Sequence, residues 1–233
     1  MLKSVELLIN LGYSNKDAED ITSSYPLVTL KDETLCKKIN ENFNYLISLG
    51  YSKSDIIKMT KVFPVLYGYS KENIEDKIEF LISLGYTKSD IIKMTKLLPS
   101  LYGYSNENIE DKIEFLISLG YTKADVIKMT KLLPALYSYS KENIKDKIKY
   151  LRDIGLENIV VNDTKKLMQS VSLTFARYEF LTKEKGIIID ESNYSKLFYG
   201  ETNFKKQYGV SKNMLLKKYS YEDYKNNNNL KNV

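Results

Sequence analysis

The residue types that carry most enzymatic and metal chemistry are scarce in this chain of 233 residues. It contains no histidine and one cysteine, Cys36. Without histidine the chain lacks the commonest general base, the Ser-His and Cys-His nucleophilic pairs and the usual zinc ligand. Carboxylate pairs such as Glu75 and Glu79 are spaced i,i+4 on a helix face predicted to be exposed, where carboxyl groups are poor general acids. The sequence predicts a protein that is not an enzyme and holds no metal or cofactor.

Lysine is the charged residue type with a recurrent spacing. Lys58 and Lys61 stand three positions apart, and the same pair recurs twice further along the chain. Lysines on one helix face neutralise backbone phosphates, which gives nucleic-acid affinity that does not depend on base sequence. Arginine reads guanine edges better, but only Arg152 and Arg177 are present. The sequence therefore favours non-specific or shape-guided binding, with a solvated amphipathic helix as the alternative reading of these lysines.

The lysine pairs lie in an internal repeat with a fixed period. Residues 50–84 are followed by residues 85–119, in which 30 of 35 positions are identical, and then by residues 120–154. A period of this length predicts stacked supersecondary units in which each unit packs against its neighbours.

Each repeat has the start and stop signals of two helices. Ser52, with Asp55 three residues later, is typical of a capped helix N-terminus. Pro64 ends that helix because proline has no N–H and disfavours helix at the preceding residue. Ser70 caps a second helix, which ends at Gly85. We expect helices over roughly 53–62 and 71–83 in this copy.

Weaker copies of the unit extend the repeat in both directions. A divergent unit starts near Gly12, a fifth one starts near Gly155 with a helix predicted to begin at Asn162, and degenerate capping units follow Gly186 and Gly209. We expect residues 1–219 to form one helical-repeat domain. Residues 220–233, which include four consecutive asparagines, have no periodicity and are predicted to be a disordered tail.

The repeat pattern Leu-Gly-Tyr-Ser/Thr-x-x-Asp-Ile-Ile-x-Met-x-x-x-x-Pro-x-Leu-Tyr resembles that of the mitochondrial transcription termination factor (mTERF) family, over about residues 4–219. The resemblance implies an all-α fold, a curved superhelical solenoid whose units contain two α-helices and a short 3₁₀ turn. It also implies non-catalytic binding of nucleic acid in a basic groove, commonly double-stranded DNA, and a role in transcription termination or regulation. The family occurs mainly in mitochondria and plastids.

Helical phase separates the charges of the two helices in each unit. On the first helix the lysines lie opposite an apolar side made of Ile56, Ile57, Met59, Thr60 and Phe63. On the second helix Ile74, Ile78, Leu81 and Ile82 are predicted to face inward and Glu72, Glu75, Asp76 and Glu79 to form an outer acidic band. Stacking of the units would align the lysine pairs into a ladder.

Net charge changes sign along the chain, from −3 over residues 1–119 to +8 over residues 120–233. The change is visible at equivalent positions, where Glu75 and Glu79 become Lys145 and Lys149. We expect a duplex to be drawn to the C-terminal part of the groove, although drift of solvated charges would give the same asymmetry. The candidate nucleic-acid-binding residues are Lys58, Lys61, Lys93, Lys96, Lys128, Lys131, Lys145, Lys149, Arg152, Lys165, Lys166, Arg177, Lys205 and Lys206.

Twenty tyrosines could serve as stacking platforms for single-stranded bases. Most of them follow the closing glycine or the turn proline, where a ring packs between neighbouring units, so we expect packing to be their main role. The resemblance favours double-stranded DNA over RNA as the partner, with a protein partner as a further candidate, and the sequence predicts a monomer without a membrane span. The rival hypothesis is a helical-repeat scaffold that binds a protein or peptide. No signal or transit peptide is evident, which predicts a cytoplasmic location, or an organellar one if a presequence is missing.

Overall fold

The computed structural model describes residues 2–229, and none of them forms a β-strand. The fold is all-α, as the repeat pattern predicted. The helices are α1 (Lys3–Asn10), α2 (Asn15–Ser23), α3 (Asp32–Ser48), α4 (Lys53–Val62), α5 (Lys71–Leu84), α6 (Lys88–Leu97), α7 (Asn106–Ser118), α8 (Lys123–Leu132), α9 (Lys141–Asp153), α10 (Asn158–Asn162), α11 (Val171–Glu179), α12 (Glu201–Tyr208), α13 (Lys212–Lys218) and α14 (Tyr221–Asn229).

The caps and breaks of each repeat are those predicted from its sequence. Ser52 and Asp55 form a capping box at the start of α4, and α4 ends at Val62 because Phe63 leaves the helical region before Pro64. A 3₁₀ turn over Pro64–Gly68 leads to α5. Gly85 ends α5 with φ of 110°, a left-handed conformation that favours glycine. The same 3₁₀ turn recurs at Pro99–Gly103 and Pro134–Tyr137.

Contacts within the chain group it into two compact units, the first ending at Ser138 and the second beginning at Tyr139. The N-terminal unit contains α1 to α8, and the C-terminal unit contains α9 to α14. The single domain expected over residues 1–219 stays a prediction.

Buried hydroxyl groups join consecutive repeats in the N-terminal unit. The Tyr51 hydroxyl lies 2.5 Å from Thr95 Oγ1 and 2.8 Å from the Tyr102 hydroxyl, and Thr95 Oγ1 donates to the Ile91 carbonyl at 2.8 Å. Equivalent triads are Tyr13, Thr60 and Tyr67 in the preceding pair of repeats and Tyr86, Thr130 and Tyr137 in the following pair. Tyr13, Tyr51 and Tyr86, which each follow a closing glycine, therefore pack between repeats, as expected, and their hydroxyls are satisfied there.

A polar side chain on α5 and another on α9 reach the turn of the next repeat. Lys77 is buried, and its ammonium donates to the Tyr104 carbonyl at 2.6 Å and to Asn106 Oδ1. Lys147 donates to the Leu167 carbonyl at 2.6 Å. The repeat pattern did not indicate a role for these lysines, because lysine is usually exposed. Their burial shows that the inward face is not purely apolar.

The prediction that Ile82 faces inward was wrong, because its side chain is 39% exposed near the end of α5. Ile74 and Leu81 are fully buried, as predicted. The apolar sector of α5 is therefore narrower than the sequence suggested, and Lys77 occupies part of the buried side.

The C-terminal unit departs from the predicted elements in two places. The helix expected to begin at Asn162 is instead the end of α10, because Asp163 takes the non-helical conformation seen at Phe63 and a 3₁₀ turn follows at Thr164–Met168. Residues 221–229 of the predicted disordered tail form α14, anchored by Tyr221, which is 5% exposed. Residues 230–233 of that predicted tail lie outside the described residues.

Candidate nucleic-acid interface

An exposed lysine occupies the same position on the first helix of three consecutive repeats. α4 packs against α6, and α6 packs against α8. The capping boxes fix where each of these helices starts, so equivalent side chains point the same way. Lys58, Lys93 and Lys128 are all exposed, and we call them the lysine row. The row spans three helices of the N-terminal unit.

The second lysine of each predicted pair forms an ion pair with an aspartate of the preceding repeat. The N–O distances are 3.0 Å for Lys61 and Asp17, 3.0 Å for Lys96 and Asp55, and 3.3 Å for Lys131 and Asp90. Both lysines of a pair were predicted to face solvent for phosphate binding. The second lysine is exposed, as predicted, and its ion pair also connects neighbouring first helices. Its role in phosphate binding stays a prediction.

Each of these aspartates also belongs to a helix cap. Asp55 accepts hydrogen bonds from the Ser52 hydroxyl at 2.7 Å and from the Ser52 backbone N–H at 3.2 Å. The Ser52 hydrogen bonds, with help from Lys96, hold the pKa of Asp55 below its ordinary value. The Lys96 side chain remains 40% exposed, so solvent screens the ion pair. A phosphate would have to compete with Asp55 for Lys96. Lys93, one turn earlier on the same helix, is exposed and is the better placed of the two to contact a phosphate.

On α9 two candidate lysines are exposed and a third cation is paired. Lys145 and Lys149 lie one turn apart on the surface of the C-terminal unit. Arg152, in the next turn, donates from Nε to Glu157 Oε1 at 2.8 Å. Its guanidinium is thus partly neutralised, and Lys145 with Lys149 are the more available phosphate ligands on this helix.

Other basic candidates of the C-terminal unit lie at turns and helix ends. Lys165 is exposed in the 3₁₀ turn after α10. Its neighbour Lys166 lies 3.4 Å from Asp163 Oδ2 and 5.5 Å from the centre of the Phe198 ring. Lys205 and Lys206 are exposed in the last turn of α12. These four side chains remain predicted contacts, with Lys166 the most constrained.

The prediction that Arg177 binds nucleic acid was wrong for a physical reason. Arg177 is 2% exposed, and its Nη1 donates to the carbonyls of Leu197 at 2.9 Å and Tyr199 at 2.7 Å. It also donates to Gln169 Oε1 at 3.1 Å, and burial lowers its pKa. Seven positions after its helix cap, Arg177 takes the place that Lys147 has on α9. Its role is to hold the turn of the following element.

The tyrosines that follow the glycines and those in the turns are not arranged as a platform for bases. Tyr51, Tyr86 and Tyr121 after the glycines are buried, as are Tyr67, Tyr102 and Tyr137 in the turns. Cys36 is half-buried, and burial raises the pKa of its thiol. Neither residue type provides an exposed recognition surface at these positions.

Residues 2–229 contain no group of three or more cysteine, aspartate or glutamate side chains placed to hold a metal ion. No helix in that range is long and apolar enough to cross a membrane.

The geometry defines a class of protein: an all-α repeat protein whose unit is two helices joined by a 3₁₀ turn, with lysines in register on the first helices. The family model described as mTERF matches residues 1–184, and the chain belongs to the mTERF family. It is therefore a nucleic-acid-binding repeat protein without catalytic activity. No match was found among curated proteins.

Proposed function

We propose that this chain binds double-stranded DNA through the phosphate backbone and that this binding serves transcription termination or regulation. The observation that carries the proposal is the lysine row, which repeats one exposed ammonium on each of α4, α6 and α8. Successive helices in such a stack are about 10 Å apart, so the row would contact several phosphates of one strand. The family relationship supports the same ligand class.

Within the C-terminal unit, Lys145 and Lys149 on α9 are the proposed phosphate contacts. Both are exposed, and residues 120–233 carry a net charge of +8. This charge would attract a polyanion to the C-terminal half before direct contacts with phosphates form. With Arg177 buried and Arg152 paired to Glu157, no arginine is left in an open position to read a guanine edge. The proposed binding is consequently independent of base sequence.

The test compares a DNA duplex, an RNA duplex of the same sequence and the single DNA strand by fluorescence anisotropy. Reversing the charge of Lys145 and Lys149 to glutamate should weaken duplex binding by at least about tenfold. The matched control reverses Lys16 and Lys31, two exposed lysines near the N-terminus. Equal losses in both double variants would show that net charge alone governs binding, and stronger binding of the RNA duplex would overturn the DNA preference.

A further inference from the structure

An apolar side chain lies beside each member of the lysine row. Val62, the last residue of α4, is 76% exposed, and Leu97, the last residue of α6, is 66% exposed. The equivalent Leu132 at the end of α8 is half-buried. Single exposed apolar residues are common on protein surfaces, but these three occupy the same position of three stacked helices. Packing of the fold does not explain Val62 and Leu97, because most of their surface is in contact with solvent.

The apolar side chain and the lysine of each repeat share one helix face. Val62 follows Lys58 by four residues, and Leu97 follows Lys93 by four. Residues at this spacing are neighbours on a helix surface, about 6 Å apart along the axis. The third repeat has the same pairing. Each ammonium of the lysine row therefore has an apolar neighbour one turn away, at the C-terminal end of its helix.

The first repeat has neither member of this pair. Counted from the glycine before each first helix, Asp20 on α2 takes the place of Lys58, and the half-buried Ser24 takes that of Val62. A carboxylate would repel a phosphate, and serine offers no apolar surface. The apolar position thus accompanies the lysine and is not required by the repeat fold itself.

The backbone of a nucleic acid offers matching chemistry, because sugars alternate with phosphates along each strand. Ribose carries a 2′-hydroxyl that donates and accepts hydrogen bonds, whereas deoxyribose has none. An apolar side chain pressed against ribose would remove water from this hydroxyl without replacing its hydrogen bonds, which is unfavourable. Against deoxyribose the same side chain covers mainly C–H groups. A lysine with an apolar neighbour therefore fits a DNA backbone better than an RNA backbone.

We propose that Val62, Leu97 and Leu132 contact the deoxyribose of a bound duplex and make binding by the lysine row selective for DNA over RNA. This inference rests on the proposed function, since it requires the lysine row to contact phosphates. It adds a discrimination that the lysines alone lack, because DNA and RNA have the same phosphates. The selectivity concerns the sugar, so it is compatible with binding that is independent of base sequence.

Fluorescence anisotropy with three duplexes of one sequence separates sugar chemistry from duplex shape. The duplexes are DNA, RNA and 2′-fluoro RNA, which keeps the A-form shape of RNA but has no 2′-hydroxyl. We expect the parent protein to bind DNA at least about tenfold more tightly than RNA, and 2′-fluoro RNA nearly as tightly as DNA. In Val62→Thr/Leu97→Gln the preference for DNA over RNA should fall by at least about fivefold, because both new side chains can hydrogen-bond the 2′-hydroxyl.

The matched control is Ile82→Thr/Ile117→Gln. These two isoleucines are exposed near the ends of α5 and α7, which are second helices of the same unit. The control should keep the parent's preference for DNA. Far-UV circular dichroism checks that both double variants are folded.

Equal affinity of the parent for DNA and RNA, or 2′-fluoro RNA bound as weakly as RNA, would overturn the inference, because the hydroxyl would then have no part in selection. So would a Val62→Thr/Leu97→Gln variant with the parent's preference, although DNA binding itself would stand. Labelled polyglutamate that binds the parent but not this variant would make an acidic protein the occupant instead. A parent protein that binds none of the duplexes would refute the proposed function, and the sugar contact with it.

Discussion

Substituting Tyr51 with phenylalanine removes one hydroxyl from the middle of a buried hydrogen-bonded chain. Because Thr95 donates its proton to the Ile91 carbonyl, Tyr51 donates to Thr95 and Tyr102 donates to Tyr51. Tyr51→Phe therefore leaves the Tyr102 hydroxyl without its acceptor and Thr95 without its donor. Leaving a buried polar group unsatisfied costs about 1–3 kcal/mol. We expect the free energy of unfolding to fall by that amount.

Urea denaturation followed by circular dichroism measures this decrease, and a double variant tests its cause. Tyr51→Phe/Tyr102→Phe removes both hydroxyls, so it should cost less than the sum of the two single substitutions. Tyr25→Phe, at a side chain that is 79% exposed, is the control and should change stability by less than about 0.5 kcal/mol. A Tyr51→Phe variant as stable as this control, or strictly additive costs in the double variant, would refute the reasoning.

Three other contacts give predictions. With Asp55→Asn, the free energy of unfolding should fall less between neutral pH and about pH 3. Hydrogen bonds lower the pKa of Asp55 in the folded protein. The stability that Asp55 contributes is therefore present above the ordinary carboxyl pKa and disappears as pH falls through the pKa of the folded protein. An acid-unfolding profile identical to the parent's would contradict this. Lys77→Met should lower the free energy of unfolding by about 1–2 kcal/mol, because the Tyr104 carbonyl loses its donor; a stability within error of the parent in urea would argue against the contact. Arg177→Lys should lower the melting temperature while leaving DNA affinity unchanged, because one ammonium cannot replace the guanidinium fork. The reverse outcome, weaker DNA binding at an unchanged melting temperature, would return Arg177 to the interface.

The repeat and its helix boundaries were predictable because their signals are local. Ser52, Pro64, Ser70 and Gly85 each fix one helix end through backbone chemistry, and the copies repeat those ends. The helix at residues 221–229 was missed because composition hid its pattern. Tyr221 and Tyr224 are one turn apart, and that spacing just before the run of asparagines was the signal available.

The candidate site was predictable only in part, since the partners of a lysine depend on the side chains and carbonyls of the neighbouring repeats. Helical phase predicts the same exposed face for Lys58 and Lys61, but Lys61 forms an ion pair with Asp17 of the preceding repeat. Lys77 lies at the edge of the apolar sector, and its burial depends on a carbonyl 27 residues away. Such contacts between units are not encoded by helical phase. A polar residue recurs at the position of Lys77 in other second helices, for example Asn42 on α3. That recurrence was the one signal in the sequence that this position contacts the next repeat.

The salt dependence of duplex binding tests the role of the lysine row most directly. Anisotropy titrations over a salt series should give a log–log slope of several units for the parent protein. Replacing Lys58, Lys93 and Lys128 with glutamine should reduce that slope by about 0.9 for each phosphate that the protein no longer neutralises, and Lys71→Gln on α5 should leave it unchanged. A triple variant with the parent's affinity and slope would contradict the assignment of these lysines as phosphate ligands.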